Sequence, residues 1–417
     1  MLLCAAAGCM AAVCCSCGDK TMVSTKTMPT EITLSWWGND SRTEYTLEAV
    51  ERFEELHPDI RVKCSYSEWS GYEARNRVQM ISNTETDVMQ INVGWLSEFS
   101  SDGKGYYDLE QLADHVRLDN FPEEILEYGR KNGVLNAIPI AMNAETVYIN
   151  KDIYDSYGLP VPETWDDIFA AAKVMKKDGV YPISAGSKAM CLYCVAYAEQ
   201  MCGKHFFNEN DEITFDADEL ELMIDFYVRL INEKAAPQVE NYSRIDLEKG
   251  VYGGSVAWVS DAVNYFGKLI EAGANIVPAP YTAEDPAESG EGWYAKPATL
   301  YAISKNTEHP KEAAILLDFM LNSSEWAELQ GVEKGVPISG SVREFLSEEG
   351  QLSGLQYEAA LVMENCDRLT HMNPLIENSD LYDDFISCCN LVLYDKSGSE
   401  EAAKELYELY SANYSME

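Results

Sequence analysis

Positive charge is what this sequence has least of. Its 417 residues carry 31 Lys+Arg against 70 Asp+Glu, a formal charge of −39. So acidic a surface repels polyanions, which excludes nucleic acid as a partner and excludes docking on anionic lipid through a basic patch. Histidine is sparse too. His57, His115, His205, His309 and His371 stand apart, without metal-ligand spacing. The motifs G-x-S-x-G, H-E-x-x-H, G-x-x-x-x-G-K-[ST] and G-x-G-x-x-G are all missing. No catalytic residue, metal or cofactor is therefore assigned. A glycosidase-type carboxylate pair stays open only because acidic residues are so abundant. The chain is not an acidic disordered tail, because 46% of its residues are hydrophobic and 11% aromatic. Its length exceeds what one hydrophobic core serves, so two domains are expected. The strong net charge favours a soluble monomer.

Residues 1–17, MLLCAAAGCMAAVCCSC, contain no charged side chain and hold five of the 12 cysteines. The stretch is shorter than the roughly 20 apolar residues of a membrane span. It reads as the core of an export signal, although the usual leading Lys or Arg is missing. Ser16-Cys17-Gly18 resembles the lipobox of bacterial lipoproteins, whose cysteine becomes the lipidated first residue. Cys14 stands where that pattern prefers Leu, Val or Ile. An ordinary cleaved signal with incidental cysteines is the alternative. Residues 18–30 are rich in Thr, Ser and Lys and read as a flexible tether.

The seven other cysteines are odd in number, which does not suit a disulfide framework. Cys191 and Cys194 have the spacing of a redox or metal half-site. Without a second pair they read instead as small buried helix residues.

After the tether, apolar β-rich runs alternate with helical periodicity. ITLSWWGND (32–40) reads as strand and turn, with a capping box at Ser41 and Glu44 opening the next helix. IRVKCSY (60–66) reads as a strand, 72–81 as a helix and 87–92 as a buried strand. Residues 137–143 and 146–150 are extended. Thr164 caps a helix whose first turn carries Asp166 and Asp167, which is capping chemistry rather than a catalytic dyad. Asn208, Asn210, Glu212 and Glu219 echo a calcium loop, but Ile213 stands where glycine is required, so a hairpin turn is expected. Further helices are expected at 220–232, 313–321 and 400–410, and a strand at 253–259.

The alternation of strand and helix specifies an α/β fold with a parallel sheet, in which ligands bind beyond the carboxyl ends of the strands. Those positions hold Trp36, Trp37, Asn39 and Asp40 after the first strand. Glu68 and Trp69 follow the second, and Asn92, Gly94 and Trp95 the third. One such tryptophan reads as core. Three at corresponding ends, each beside a polar residue, point to an aromatic-lined cleft.

With these residues in view, the chain resembles the family 1 extracellular solute-binding proteins of bacterial ABC sugar importers, from about Ile32 onward. WWGNDSRTEYTLEAVERFEELHPDIRV resembles the family's first strand and helix. YSEWSGYEARNRVQ followed by TDVMQINVGWL resembles the branch that takes up oligogalacturonides and related oligosaccharides. IPIAMNAETVYINKDIYDSYGLPVPETWDDI, KPATLYAISKNTEHPKEAAILLDFML and GVP (335–337) resemble the three hinge crossings. The resemblance implies a periplasmic-binding-protein-like fold of two α/β lobes joined by three crossings, near Met142, Thr299 and Val336. Lobe I is expected over 28–142 and 299–335, and lobe II over 143–298 and 336–417. The implied function is capture of an oligosaccharide by hinge closure and delivery to the permease subunits of the transporter. The implied place is the outer face of the cell membrane, with lipid on Cys17 as the only membrane contact. An exported glycosidase or lyase is the alternative.

A sugar offers CH faces and hydroxyls, so its cleft needs aromatic platforms beside amides and charges. The platform candidates are Trp37, Trp69, Trp95, Trp258 and Trp293. The hydrogen-bonding candidates are Asp40, Asn92, Asn143, Glu145, Asp261 and Lys296. Arg42 and Lys296 could pair a uronate carboxylate. Arg42 could equally pair Glu44 or Glu48 on its own helix. Glu68, Glu145 and Asp261 would oppose an acidic ligand, which leaves a neutral oligosaccharide open.

Overall fold

The computed structural model describes residues 28–208 and 210–416. Cys17, the signal segment and most of the tether lie outside the described residues. The strands are β1 (Thr30–Trp37), β2 (Ile60–Ser67), β3 (Val88–Ile91), β4 (Arg130–Lys131), β5 (Val134–Leu135), β6 (Ala137–Asn150), β7 (Gly254–Trp258), β8 (Ile276–Pro278), β9 (Tyr294–Ile303) and β10 (Thr370–His371). β4 and β5 form a small hairpin. The others form one sheet in the order β2-β1-β3-β9-β6-β7, with β10 on β9 and β8 on β6.

β1 is parallel to β2 and β3, as expected of strands separated by helices. β9 returns antiparallel to β3 and to β6. β3 is buried along its whole length, Gln90 included, and Gln90 accepts from Lys334 through its side-chain oxygen. Val88 enters a core with Ile32, Leu34, Trp36, Phe53 and Trp326, while neighbouring Met89 enters one with Tyr72, Trp95 and Leu300 on the other face. The second half of β6 divides likewise. Val147 and Ile149 join a large core with Trp165, Tyr193, Phe226 and Phe385, and Tyr148 joins another with Phe266 and Ala359. Two lobes, each a sheet covered on both faces, thus share β6 and β9.

The expected crossings at Met142 and Thr299 lie on β6 and β9, and the expected two extended runs of 137–150 are one strand. The register of β6 slips on either side of Ala141, which faces Thr299 and also bridges to Pro337. Gly335 is held at φ +106, and a Cβ there would come within 2.6 Å of the Ala141 Cβ, so only glycine fits. Beyond Pro337 the chain does not pass at once into the second lobe. The helix Gly340–Glu348 packs Val342 and Leu346 on Ala327 of the first lobe, and only the helix Leu355–Glu364 packs against Tyr148 and Ile276 of the second.

One local expectation shifts. The helix Asp40–Leu56 is capped by Asn39, whose Oδ1 accepts the Arg42 N–H at 2.9 Å, so Ser41 lies inside the helix and forms no box with Glu44. Thr164 and Asp167 do form a reciprocal capping box. Phe207 pairs with Ile213 across a hairpin turn, as the missing glycine implied. The seven cysteines of the described residues are free thiols, with Cys191 and Cys194 buried in the helix Ser187–Cys202.

Candidate functional site

The register of β9 sets the site's position. Leu300 lies opposite Ile91, the last residue of β3. Four residues back along β9, about 13 Å at strand rise, Lys296 pairs with Asn143 in the second lobe. The carboxyl ends of β1, β2 and β3 therefore face the second lobe.

Three tryptophans converge there. Trp37 ends β1, Trp69 opens the helix Trp69–Ser82 after β2, and Trp95 lies in the helix Gly94–Phe99 after β3. The ring of Trp37 is 5.0 Å from Trp69 and 6.3 Å from Trp95, and Trp69 stacks on Trp95 at 5.8 Å. Tyr72 stacks behind Trp95 at 6.0 Å. Exposure grades across the cluster. Trp95 is 3% exposed, Trp37 half-buried, and Trp69 39% exposed. Trp69 thus offers an apolar ring to solvent over a rigid aromatic base.

The second lobe presents charge instead. β6 pairs Asn143 with Lys296 on one side and Glu145 with Trp258 on the other. Residues two apart on a strand share a face, so these four side chains lie on one face of the sheet. The first turn of the helix Ser187–Cys202 covers it and adds Lys188. Lys296 Nζ stands 4.6 Å and Lys188 Nζ 5.3 Å from the Trp258 ring centre. Both lysines pair with Glu377, Lys188 at 2.6 Å. Glu145 lies beneath them, 2% exposed, and neither carboxylate oxygen has a hydrogen-bond partner among the described residues. Burial pushes its carboxyl up to about 8, against the pull of Lys188 and Lys296. Burial lowers Lys296, and Glu377 pulls it back up. For Glu377 burial acts upward, but Lys296 and Lys188 outweigh it and hold the carboxyl below its ordinary value. The group thus sets two lysines against one carboxylate that pairs with both, Glu377, while burial favours the neutral form of the second, Glu145.

The other candidates separate. Trp293 is 3% exposed, donates from Nε1 to the Thr282 carbonyl at 3.0 Å and packs on Tyr193 and Tyr281, which makes it core. Trp36 is fully buried. Asn143 spends its amide on Ser260, donating to Oγ at 2.9 Å and accepting from the backbone N–H at 3.0 Å. Asn92 accepts from the Gly94 N–H in a turn. Asp261 precedes the helix Ala262–Glu271 and accepts from Asn264, and Asp40 is exposed at a helix start. Arg42 pairs neither Glu44 nor Glu48. Its partner is Glu333, through the carboxylate at 3.4 Å and the carbonyl at 3.0 Å.

Lys188 and Glu377 are site residues that the reading of the sequence passed over. A lone lysine opening the apolar run AMCLYCVAYA was a usable signal for Lys188. Glu377 carried none, because it is one acidic residue among 70. Lys334 also escaped notice. It is 3% exposed and donates to the Tyr301 hydroxyl at 2.7 Å and to Gln90 Oε1 at 3.2 Å, beside the third crossing.

Two lobes sharing hinge strands, with an aromatic wall opposite a cationic floor, define a two-lobed ligand-binding protein. Residues 39–325 match the family described as bacterial extracellular solute-binding protein, and the chain belongs to that family. It is similar to a periplasmic oligogalacturonide-binding protein from Yersinia enterocolitica in complex with saturated digalacturonic acid. That match has a TM-score of 0.79 and 28% identity, over 91% of this chain and 97% of the other. An arabinooligosaccharide-binding protein of Halalkalibacterium halodurans is 25% identical over 54% of this chain and 52% of its own length. A multiple sugar-binding protein of Streptococcus mutans is 22% identical over 74% of this chain and 75% of its own length. The chain thus spans about half the length of some curated relatives and three quarters of others. The family consists of binding proteins, so the reading as a glycosidase or lyase finds no support. No helix among the described residues is long and apolar enough to cross a membrane.

Proposed function

We propose that this protein is the monomeric, lipid-anchored substrate-binding component of an ABC importer, and that it captures a uronate-bearing oligosaccharide between its lobes for delivery to the permease. Lobe I comprises 28–142 and 299–335 together with the helix Gly340–Glu348, and lobe II comprises 143–298 and the remainder to 417. The crossings at Met142, Thr299 and the segment after Gly335 form the hinge, and ligand favours the closed form by touching both lobes. Trp69 and Trp37 receive the sugar faces on Trp95. Trp258 holds Lys188 and Lys296 in place, and these lysines meet the ligand carboxylate.

The observation that carries this reading is the convergence of Lys188 and Lys296 on Glu377, over buried Glu145, opposite three converging tryptophans. Thermal unfolding with galacturonate oligomers and with neutral arabino-oligosaccharides tests it. A ligand of the native state raises stability by RT ln(1 + [L]/Kd). The uronates should raise the melting temperature without being cleaved, and affinity should fall as salt rises. Release of shorter sugars would refute a pure binding role, and a preference for neutral sugars would refute the carboxylate reading. For the anchor, mass spectrometry of the chain expressed in bacterial membranes should find a diacylglycerol adduct on Cys17. An unmodified Cys17, or loss of 1–17 by ordinary cleavage, would refute it.

A further inference from the structure

The two ends of lobe I differ in what they expose. β1, β2 and β3 are parallel, so their carboxyl ends meet the cleft and their amino ends form the far pole. Of the exposed large apolar side chains in this lobe, Tyr66 and Trp69 stand at the cleft end. The others, Met28, Leu56, Val78 and Ile81, stand at the far pole. Met28 lies just before β1 and is 90% exposed. Leu56 ends the helix that returns from the cleft on one face of the sheet. Val78 and Ile81 belong to the last turns of the helix that returns on the other face. They lie three apart, on one side of that helix, and Ile81 is 76% exposed. The Thr30 N–H donates to the Asp59 carbonyl at 2.8 Å, which brings the segment before β1 to the turn between Leu56 and Ile60. The Asn83 cap of the second helix is tied to Asn306, after β9, at 3.3 Å.

What covers these side chains follows from where the chain enters. Residues 1–27 join the fold at this pole. With lipid on Cys17, residues 18–27 stand between the bilayer and Met28, and fully extended they span at most about 35 Å. The tether then presents the pole to the bilayer at an effective concentration of about millimolar. A contact too weak to hold in free solution is occupied for much of the time under that condition. Exposed Met, Leu, Val and Ile are side chains that a membrane interface takes up, with an affinity that grows with the apolar area buried. The cleft is a strand length away, since the 8 residues of β1 span about 26 Å.

We propose that the far pole of lobe I rests on the bilayer through Met28, Leu56, Val78 and Ile81, so that the anchored protein awaits its ligand with the cleft turned away from the lipid. The proposal rests on the lipid anchor given above and adds an orientation to it. The contact is apolar, so it needs no anionic lipid and persists as salt rises. Full-length protein with the Cys17 adduct, held in vesicles of brominated phosphatidylcholine, tests it by tryptophan quenching, because bromine quenches only rings close to it. Ile81→Trp keeps an apolar side chain at the pole and should lose about half of the fluorescence it adds, as for a tethered contact near half occupancy. Trp37 and Trp69, at the cleft, should keep theirs. Adding Leu56→Asp and Val78→Asp should abolish the quenching while the melting temperature stays unchanged. Hydrogen exchange checks the same contact without an added ring. The amides of 57–59 and 82–85 should exchange more slowly in the unsubstituted vesicle-held protein than in the one with both aspartates. Quenching of Ile81→Trp no greater than that of the unsubstituted protein, with the adduct confirmed on Cys17, would overturn the contact and spare the anchor. Quenching that survives both aspartates would reflect the tether alone and would also overturn it. An unmodified Cys17 would overturn both.

Discussion

Arg42 donates from Nη2 to the Glu333 carbonyl at 3.0 Å and lies 3.4 Å from the Glu333 carboxylate through Nε. The pair joins the first turn of the helix after β1 to the segment just before Gly335. Both residues belong to lobe I, and the guanidinium is already neutralised. Arg42→Ala should therefore change sugar affinity less than about threefold. It should cost roughly 1 kcal/mol of stability or less, as for other partly exposed pairs. Calorimetry and denaturant unfolding measure the two, and a tenfold loss of uronate affinity would restore Arg42 to the binding site.

The tryptophan cluster should divide stability from binding. Trp69 is 39% exposed and Trp95 3%. Trp69→Ala should weaken binding by about 10- to 100-fold with little loss of stability, because its ring is the one offered to solvent. Trp95→Ala should cost about 3–5 kcal/mol of stability, like other large-to-small changes in a core. Trp293→Ala should behave like Trp95→Ala in unfolding. If Trp69→Ala lowers stability as Trp95→Ala does and leaves binding intact, the wall is structural only.

Glu145 should make uronate binding depend on pH. Its carboxyl is pushed up to about 8 by burial. A raised carboxyl takes up protons on folding, so its stabilising contribution is full below the ordinary glutamate value and is lost as pH rises toward 8. Above 8 the site also gains a negative charge, and affinity for a uronate should fall. Glu145→Gln should flatten both profiles. One proton allows at most about 1.4 kcal/mol per pH unit. An unchanged affinity profile in the variant would show that Glu145 does not titrate in this range.

Lys334 works in the opposite direction. Burial pushes its ammonium down to about 7, with Arg42 adding to the fall and Glu333 opposing it. A depressed lysine sheds its proton on folding, so its stabilising contribution is present above the ordinary lysine value and is lost as pH falls through about 7. Denaturant unfolding from pH 6 to 10 should therefore show wild-type stability rising relative to Lys334→Met across that window. Parallel curves would show that the folded state keeps the lysine charged.

The boundaries of the first elements were legible because each carries its own signal. β1 and β3 are short β-leaning runs and β2 an alternating one, each closed by turn residues, and Thr164 and Asp167 sit at box spacing. The strand-end tryptophans were legible for the same reason, since an α/β alternation places every carboxyl end on one side. Which tryptophan meets solvent was not. Trp36 and Trp37 are neighbours, and the pleat alone sends one into the core and leaves the other half-buried. Trp293 followed no such rule and went into the core of lobe II.

Local sequence thus determined the class of the chain, its strand-helix order and its acidic surface. These depend on periodicity, capping and composition, which act over a few residues at a time. The tertiary structure decided the pairings: Arg42 with Glu333, Lys188 and Lys296 with Glu377, and Glu145 beneath them without a hydrogen-bond partner among the described residues. Lys188 and Glu377 lie 189 residues apart. Their meeting depends on the register of β6, β7 and β9 and on the seat of one helix over that face. Charge and burial at such a point are properties of the packed sheet, and no stretch of the chain carries them alone.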